Sequence, residues 1–218
     1  MAVKKVERRF HAGVELREAG DAKDGRIATL QGYAALFDSK SEDLGGFVET
    51  IRAGAFKTSL DRGDDIRALV GHNTDLVIGR RTAKTLDISE DKKGLKVEIA
   101  VPDTSAGRDL VVSVKRGDIT GMSFGFATVE DEWTRKTENA RTVYFRELIE
   151  VDLFEVSAVA FPAYPETSVE ARNTDRSAKD ILEEGIRRLG KDAGHGSFRR
   201  RDRLISAYRT RVALWTGK

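Results

Sequence analysis

Two side chains of this sequence could exchange a proton near neutral pH if folding brought them together: the imidazole of His72 and the hydroxyl of Ser123. The chain has three histidines and no cysteine. A thiolate nucleophile, a thiolate zinc site and a disulfide are therefore excluded, and proton transfer near neutrality falls to histidine. His11 lies in a charged N-terminal segment and His195 in the glycine-bordered stretch GKDAGHGS, and both are read as solvated. His72 stands between Gly71 and Asn73, after the apolar pair Leu69 and Val70. A histidine so placed is ordinarily packed or part of a turn, and it takes on chemical meaning only from its partners. No second histidine stands at metal-ligand spacing, so neither zinc nor any other cofactor is expected.

Ser123 sits in TGMSFGF, where Gly121 and Gly125 leave the backbone around the hydroxyl uncrowded and Phe124 and Phe126 can anchor the strand from its other face. The surroundings read strand to strand, so this is not the strand-to-helix nucleophile elbow of GxSxG hydrolases. A glycine-rich strand that merely carries a small polar residue is the competing reading. A third candidate comes from LIEVDLFEVSAVAFPAYP. With period-two alternation, Glu155, Ser157, Val159 and Phe161 share one face, and Asp152, Phe154 and Val156 the other. Either carboxylate, Glu155 or Asp152, can orient an imidazole, but not both. An acid inside such an apolar run is costly unless paired, and the alternative is an edge carboxylate facing water, a reading that suits Asp152 better than Glu155.

The elements that must position these groups are mostly strands. RIATLQGYAALF, residues 26 to 37, reads as one. AGAFKTSLDR, residues 53 to 62, reads as a short helix stopped by Gly63. In DIRALVGH, residues 65 to 72, alternation puts Ile66, Ala68, Val70 and His72 on one side, so His72 is expected to end a strand. Residues 82 to 88 and 95 to 101 alternate around SEDKKG and predict a hairpin. Thr104 or Ser105 can cap a helix that carries Leu110, Val111 and Val114 and stops at Gly117. Residues 121 to 130 and 142 to 161 read as two long strands joined by the polar segment DEWTRKTENAR, the second passing through a bend and ending at Pro162 and Pro165. Residues 178 to 189 and 199 to 215 show helical spacing.

Several strands with two short helices among them predict a β-rich α+β fold, an antiparallel β-barrel with flanking short helices, with an open α+β sandwich as the competitor. The N-terminus MAVKKVERRF has no apolar run after its charges, and no stretch approaches the roughly 18 apolar residues of a membrane span, so a soluble, unexported protein is expected. The net charge of +2 is unevenly spread: from Ala171 onward there are 13 Lys and Arg against 6 Asp and Glu. That leaves a basic, helical C-terminal tail on an acidic body, and a separate job for the tail.

The segments GYAALFD, ETIRAGAF, LVGHN with IGR following, DISEDKKGLKVEIAV, GDITGMSFGF and LFEVSAVAFPAYPET occur in one order across about residues 26 to 168. In that order they resemble the prohead proteases of tailed bacteriophages, a family distantly similar in fold to the herpesvirus capsid-assembly protease. The resemblance implies a β-barrel with flanking helices, and a histidine and a serine in that order, matched here by His72 and Ser123. It also implies a third member on a later strand that varies between histidine and an acid, with Glu155 as first choice and Asp152 in reserve. The domain division that follows is a protease barrel over residues 1–168 and a basic helical tail over 169–218.

The expected activity is then serine endopeptidase cleavage of scaffold or capsid precursor proteins, and of the protease itself, inside the assembling procapsid in the host cytoplasm. The partners so implied are the major capsid protein with its scaffolding segment and a second copy of this chain, with no membrane. A catalytically inactive barrel that scaffolds capsid subunits is the alternative. For the tail, a helix that docks onto capsid or scaffold through Leu204, Ile205, Tyr208, Val212 and Trp215 is preferred over nucleic-acid binding by FRRRDRLISAYRTR. A third reading makes it a delivery segment removed by cleavage near residues 165 to 175.

Overall fold

The computed structural model of the chain describes residues 6–12, 14–18, 25–138, 141–160 and 177–192. Four strands come first, β1 (Glu7–Ala12), β2 (Val14–Glu18), β3 (Arg26–Leu36) and β4 (Phe47–Ile51). The short helix α1 (Lys57–Asp61) leads into β5 (Arg67–Val70), β6 (Asn73–Arg80), β7 (Leu86–Glu90) and β8 (Gly94–Pro102). After α2 (Ser105–Arg116) come the two longest strands, β9 (Gly121–Glu138) and β10 (Arg141–Val159), and then α3 (Ala178–Asp192).

Where local chemistry is strong, expectation and structure agree. β7 and β8 form the hairpin, with Leu86 and Ile88 facing Ile99 and Val97 across it. Thr104 caps α2 by accepting a hydrogen bond from the Gly107 N–H at 3.2 Å, and Gly117 ends the helix at φ 82°, a left-handed conformation that glycine adopts without penalty. Four strands are additional to the expectation. β1 and β2 lie in the charged N-terminal segment, β4 precedes the short helix, and β6 follows His72 directly.

Of the polar segment DEWTRKTENAR, residues 131–138 are the distal part of β9 and Arg141 begins β10. One of its charges is buried against a partner on the neighbouring strand: Arg146 donates to Asp131 at 2.7 Å. Trp133 packs on Phe47 with ring centroids 5.1 Å apart. Helix α3 lies against this arm through Ile181, Ala178, Leu182 and Leu189, and a Cβ on Gly185 would collide with the Trp133 ring. Pro162, Pro165 and the stretch 199 to 215 lie outside the described residues.

The ladders draw two sheets. One is six-stranded, in the order β1-β9-β10-β5-β6 with β4 also on β10; the other is four-stranded, in the order β2-β3-β8-β7. Among the described residues the pairings form two stacked sheets and do not close into one ladder. Nor is the pairing all antiparallel, since β10 takes β9 along one side and the parallel strands β4 and β5 along the other. Alternation tells which face of a strand is apolar but not which strand lies beside it.

A single core fills the space between the sheets, drawn from Leu30, Val97 and Ile99 of one and Phe124, Phe126, Val156 and Ala158 of the other. Leu110 and Phe56 close its ends, from α2 and from the residue that precedes α1. No helix among the described residues is long and apolar enough to cross a membrane.

Candidate active site

Strand β9 carries Ser123 in the middle of the larger sheet, opposite Phe10 of β1 on one side and Ser157 of β10 on the other. Residues directly opposite in paired strands share a face. Phe10, Ser123 and Ser157 therefore form one row, and Arg8, Gly125 and Glu155 form the next. The intervening Met122, Phe124, Val156 and Ala158 point the other way into the core. The glycine-rich strand is thus anchored by its aromatics, as expected from the sequence, and offers its small residues to the outer face.

His72 arrives on that face by a turn, not by continuing a strand. Gly71 and His72 make the two-residue connection between β5 and β6, with φ 58° and 61°, the left-handed pair of a type I′ hairpin turn. Alternation from Ile66 and Ala68, which are in the core, would have put the imidazole on the inner side. Positive φ at His72 reverses this. Such a conformation costs a non-glycine residue about 1–3 kcal/mol and is retained where surrounding contacts over-determine it. One such contact is the Gly71 N–H donating to the Ala158 carbonyl at 2.9 Å, which ties the turn to β10.

Glu155 and His72 meet: the Nδ1 to Oε1 distance is 2.6 Å. The other carboxylate oxygen, Oε2, accepts from the Ser157 hydroxyl at 2.5 Å, and the Arg8 guanidinium stands 3.6 Å from Oε1. Phe10 covers the group, its ring edge-on to the imidazole at 5.6 Å and 84°. Gly125 has a second use beyond leaving the serine uncrowded, because a Cβ there would run into the Glu155 carboxylate. With Nδ1 bonded to the carboxylate, His72 Nε2 is the ring atom left to act as base in the neutral imidazole. Nε2 and Ser123 Oγ are both buried, and neither has a hydrogen-bond partner among the described residues. A buried polar atom left in that state costs about 1–3 kcal/mol, which a fold without use for it would be expected to remove.

Asp152 is elsewhere. It is 2% exposed, not an edge carboxylate facing water, and accepts from Arg62 at 2.6 Å. Arg62 also engages Asp64, and these hydrogen bonds, opposed by partial burial, raise its pKa further above the ordinary arginine value. Of the two acids open to choice in the sequence, only Glu155 touches the histidine. His11 pairs through its backbone with Met122 of β9, and His195 and the PAYP segment lie outside the described residues.

Sequence reasoning did not single out Ser157, Phe10 or Arg8. A signal for Ser157 was present, since alternation sets it on the face of Glu155. Phe10 and Arg8 sit in a segment whose charge concealed a strand. That strand is held from its other face by a buried ionic cluster: Arg146 donates to Glu7 at 2.6 Å and to Glu49 at 2.9 Å, and Arg9 donates to Glu49 at 2.6 Å. Burial alone would raise the Glu7 pKa, but the adjoining Arg146 and Arg9 prevail and bring it down to about 2.

Comparison with known proteins gives three likenesses. The family model of the caudovirus prohead serine proteases matches residues 13–180. The prohead protease of Enterobacteria phage HK97 is 28% identical over 165 residues, which cover 72% of this chain and 64% of that protein. The chain therefore spans somewhat less than two thirds of the length of this relative. The structure of the bacteriophage T4 capsid assembly protease aligns over 72% of this chain and 99% of its own, with a TM-score of 0.43 and 9% identity.

Proposed function

Because the chain belongs to the caudovirus prohead serine protease family, we propose that it is a serine endopeptidase whose nucleophile is Ser123, whose base is His72 and whose orienting acid is Glu155. The observation that carries the assignment is the 2.6 Å contact between His72 Nδ1 and Glu155, made in a site where no described residue bonds Nε2 or the Ser123 hydroxyl.

In the cycle that follows, Nε2 takes the hydroxyl proton as Ser123 Oγ attacks the scissile carbonyl carbon. The imidazolium then returns that proton to the departing amine, leaving an acyl-enzyme that water hydrolyses through the same base. Glu155 fixes the tautomer with Nε2 unprotonated and stabilises the charge that appears on the ring. Ser157, the other hydroxyl in the row, is committed to Glu155, which favours Ser123 as the attacking group. The developing oxyanion needs two aimed donors, and backbone N–H groups of the PAYP segment are our candidates.

By the same family argument, the substrates are the major capsid protein with its scaffolding segment and the protease itself, cut inside the assembling procapsid in the host cytoplasm. A second copy of this chain is a partner in self-cleavage, possible also as a homodimer. We further propose a barrel like that of the herpesvirus capsid-assembly protease, with a protease unit over 1–168 and a basic helical tail over 169–218. For the tail we favour docking onto capsid or scaffold protein over contact with nucleic acid.

Co-expression of wild type and Ser123→Ala with the capsid precursor tests the assignment on one gel. Wild type should trim the precursor and Ser123→Ala should leave it whole. Trimming by Ser123→Ala would refute the nucleophile, and a wild type that trims nothing would favour an inactive scaffolding protein.

A further inference from the structure

We propose that Ser157 is a positioning residue of this site: its hydroxyl holds the Glu155 carboxylate turned so that the opposite oxygen meets His72 Nδ1. The inference rests on the triad reading above and adds to it a residue to which no role has been given.

The carboxylate of Glu155 is 8% exposed as part of its residue, and Ser157 is fully buried, so the interaction between them is not one that solvent replaces freely. The 2.5 Å separation of Ser157 Oγ and Glu155 Oε2 is that of a charge-assisted O–H···O bond. An ionised carboxylate has no proton to give, so the serine is the donor. The hydroxyl proton points at Oε2, while Oε1 faces the imidazole at 2.6 Å.

Two further features restrict the carboxylate to this orientation. Gly125, opposite Glu155 on β9, leaves out the side chain that would displace Oε1. The β10 ladder also shifts register between Leu153 and Glu155, a bulge of the kind that re-aims a side chain beside a site. Without the Ser157 hydroxyl, the terminal torsion of Glu155 would be free to rotate within the space that remains, since such torsions are broad and two-fold. Ser157 is directly opposite Ser123, so the bond that orients the acid is made one strand away from the nucleophile.

The test compares wild type, Ser157→Ala and Ser157→Thr by two readouts. One is the low-field proton resonance of His72 Nδ1–H; the other is labelling of Ser123 by a fluorophosphonate probe, resolved into the maximal rate of inactivation and the probe's binding constant. In Ser157→Ala the resonance should move or broaden, and the maximal labelling rate should fall roughly 10- to 100-fold, the scale of a misplacement near 1 Å, with the binding constant unchanged. Ser157→Thr, which keeps the hydroxyl, should restore both. A Ser157→Ala protein with an unmoved resonance and a labelling rate within twofold of wild type overturns the proposal. So does an equal loss in the alanine and threonine variants accompanied by lowered thermal stability, which would make the role one of packing. Failure of the protease reading itself appears separately, as capsid precursor cleavage by Ser123→Ala, and the resonance still reports on the orientation of Glu155 in that case.

Discussion

Phe10 lies edge-on to His72, 5.6 Å between ring centroids, and is the residue that β1 sets opposite Ser123. One apolar ring thus packs on the imidazole and stands beside the Ser123 position in the cross-strand row. The contact contributes to the burial of an imidazole on the outer face of a sheet, and the ring is a candidate for what a substrate has to displace.

Phe10→Ala should accordingly raise the rate at which a fluorophosphonate labels Ser123, by several-fold, because it removes the cover and leaves the three polar side chains intact. An unchanged or slower rate would show that the ring is not the barrier.

Glu155 and Asp152 should separate cleanly. Glu155→Gln keeps the shape and removes the charge that holds the imidazole, and activity should drop by roughly 10³- to 10⁴-fold, as when the orienting acid of a serine triad is made neutral. Asp152→Asn should leave turnover within a few-fold. It should instead lower stability by about 1–3 kcal/mol, because Arg62 loses a buried counter-charge. Activity assays and thermal melts on the two variants decide the matter, and the reverse pattern would move the acid to Asp152.

Gly125→Ala tests the space reserved for the carboxylate. Its methyl group has to push Glu155 away from His72, so activity should fall about 10²-fold with a stability loss of about 1–3 kcal/mol. An active, stable variant would mean that the carboxylate has room to yield.

Acid should loosen the N-terminal strand. Glu7 stays ionised in the folded chain down to about pH 2, against 4.5 for the ordinary carboxyl. Below the higher value the unfolded chain takes up the proton first, so stability is complete above about pH 4.5 and is lost as pH falls through the folded value. The contribution at stake is about 3 kcal/mol. Melting temperatures measured from pH 6 to pH 2.5 should show this fall, and Glu7→Gln should flatten it. A Glu7→Gln profile parallel to wild type would remove Glu7 as its source.

How far the sequence could be read follows from how local each signal is. The β7–β8 hairpin, the Thr104 cap and the Gly117 stop are decided within a few residues and were legible. The strand around Ser123 was legible for the same reason, its glycines and phenylalanines being neighbours along the chain. The face of His72 was not. Alternation from Ile66 predicts the inner side, and only the positive φ of a two-residue turn moves it to the outer one. Glu155 could not be told from Asp152 because the choice is made 90 positions away, where Arg62 takes Asp152. β1 and the Asp131 region of β9 were hidden by charge, because Glu7, Arg9 and Asp131 find their partners in Arg146 and Glu49 on other strands.

The connection between β5 and β6 has no slack. With only Gly71 and His72 spanning Val70 and Asn73, one inserted or deleted residue would rotate the imidazole toward the hydrophobic interior and strand the Glu155 carboxylate without its ring. Loop length at this point is therefore as much a requirement of the site as the identity of the histidine, and natural variation in this chain should accumulate substitutions on either side of the hairpin tip long before it admits a gap there.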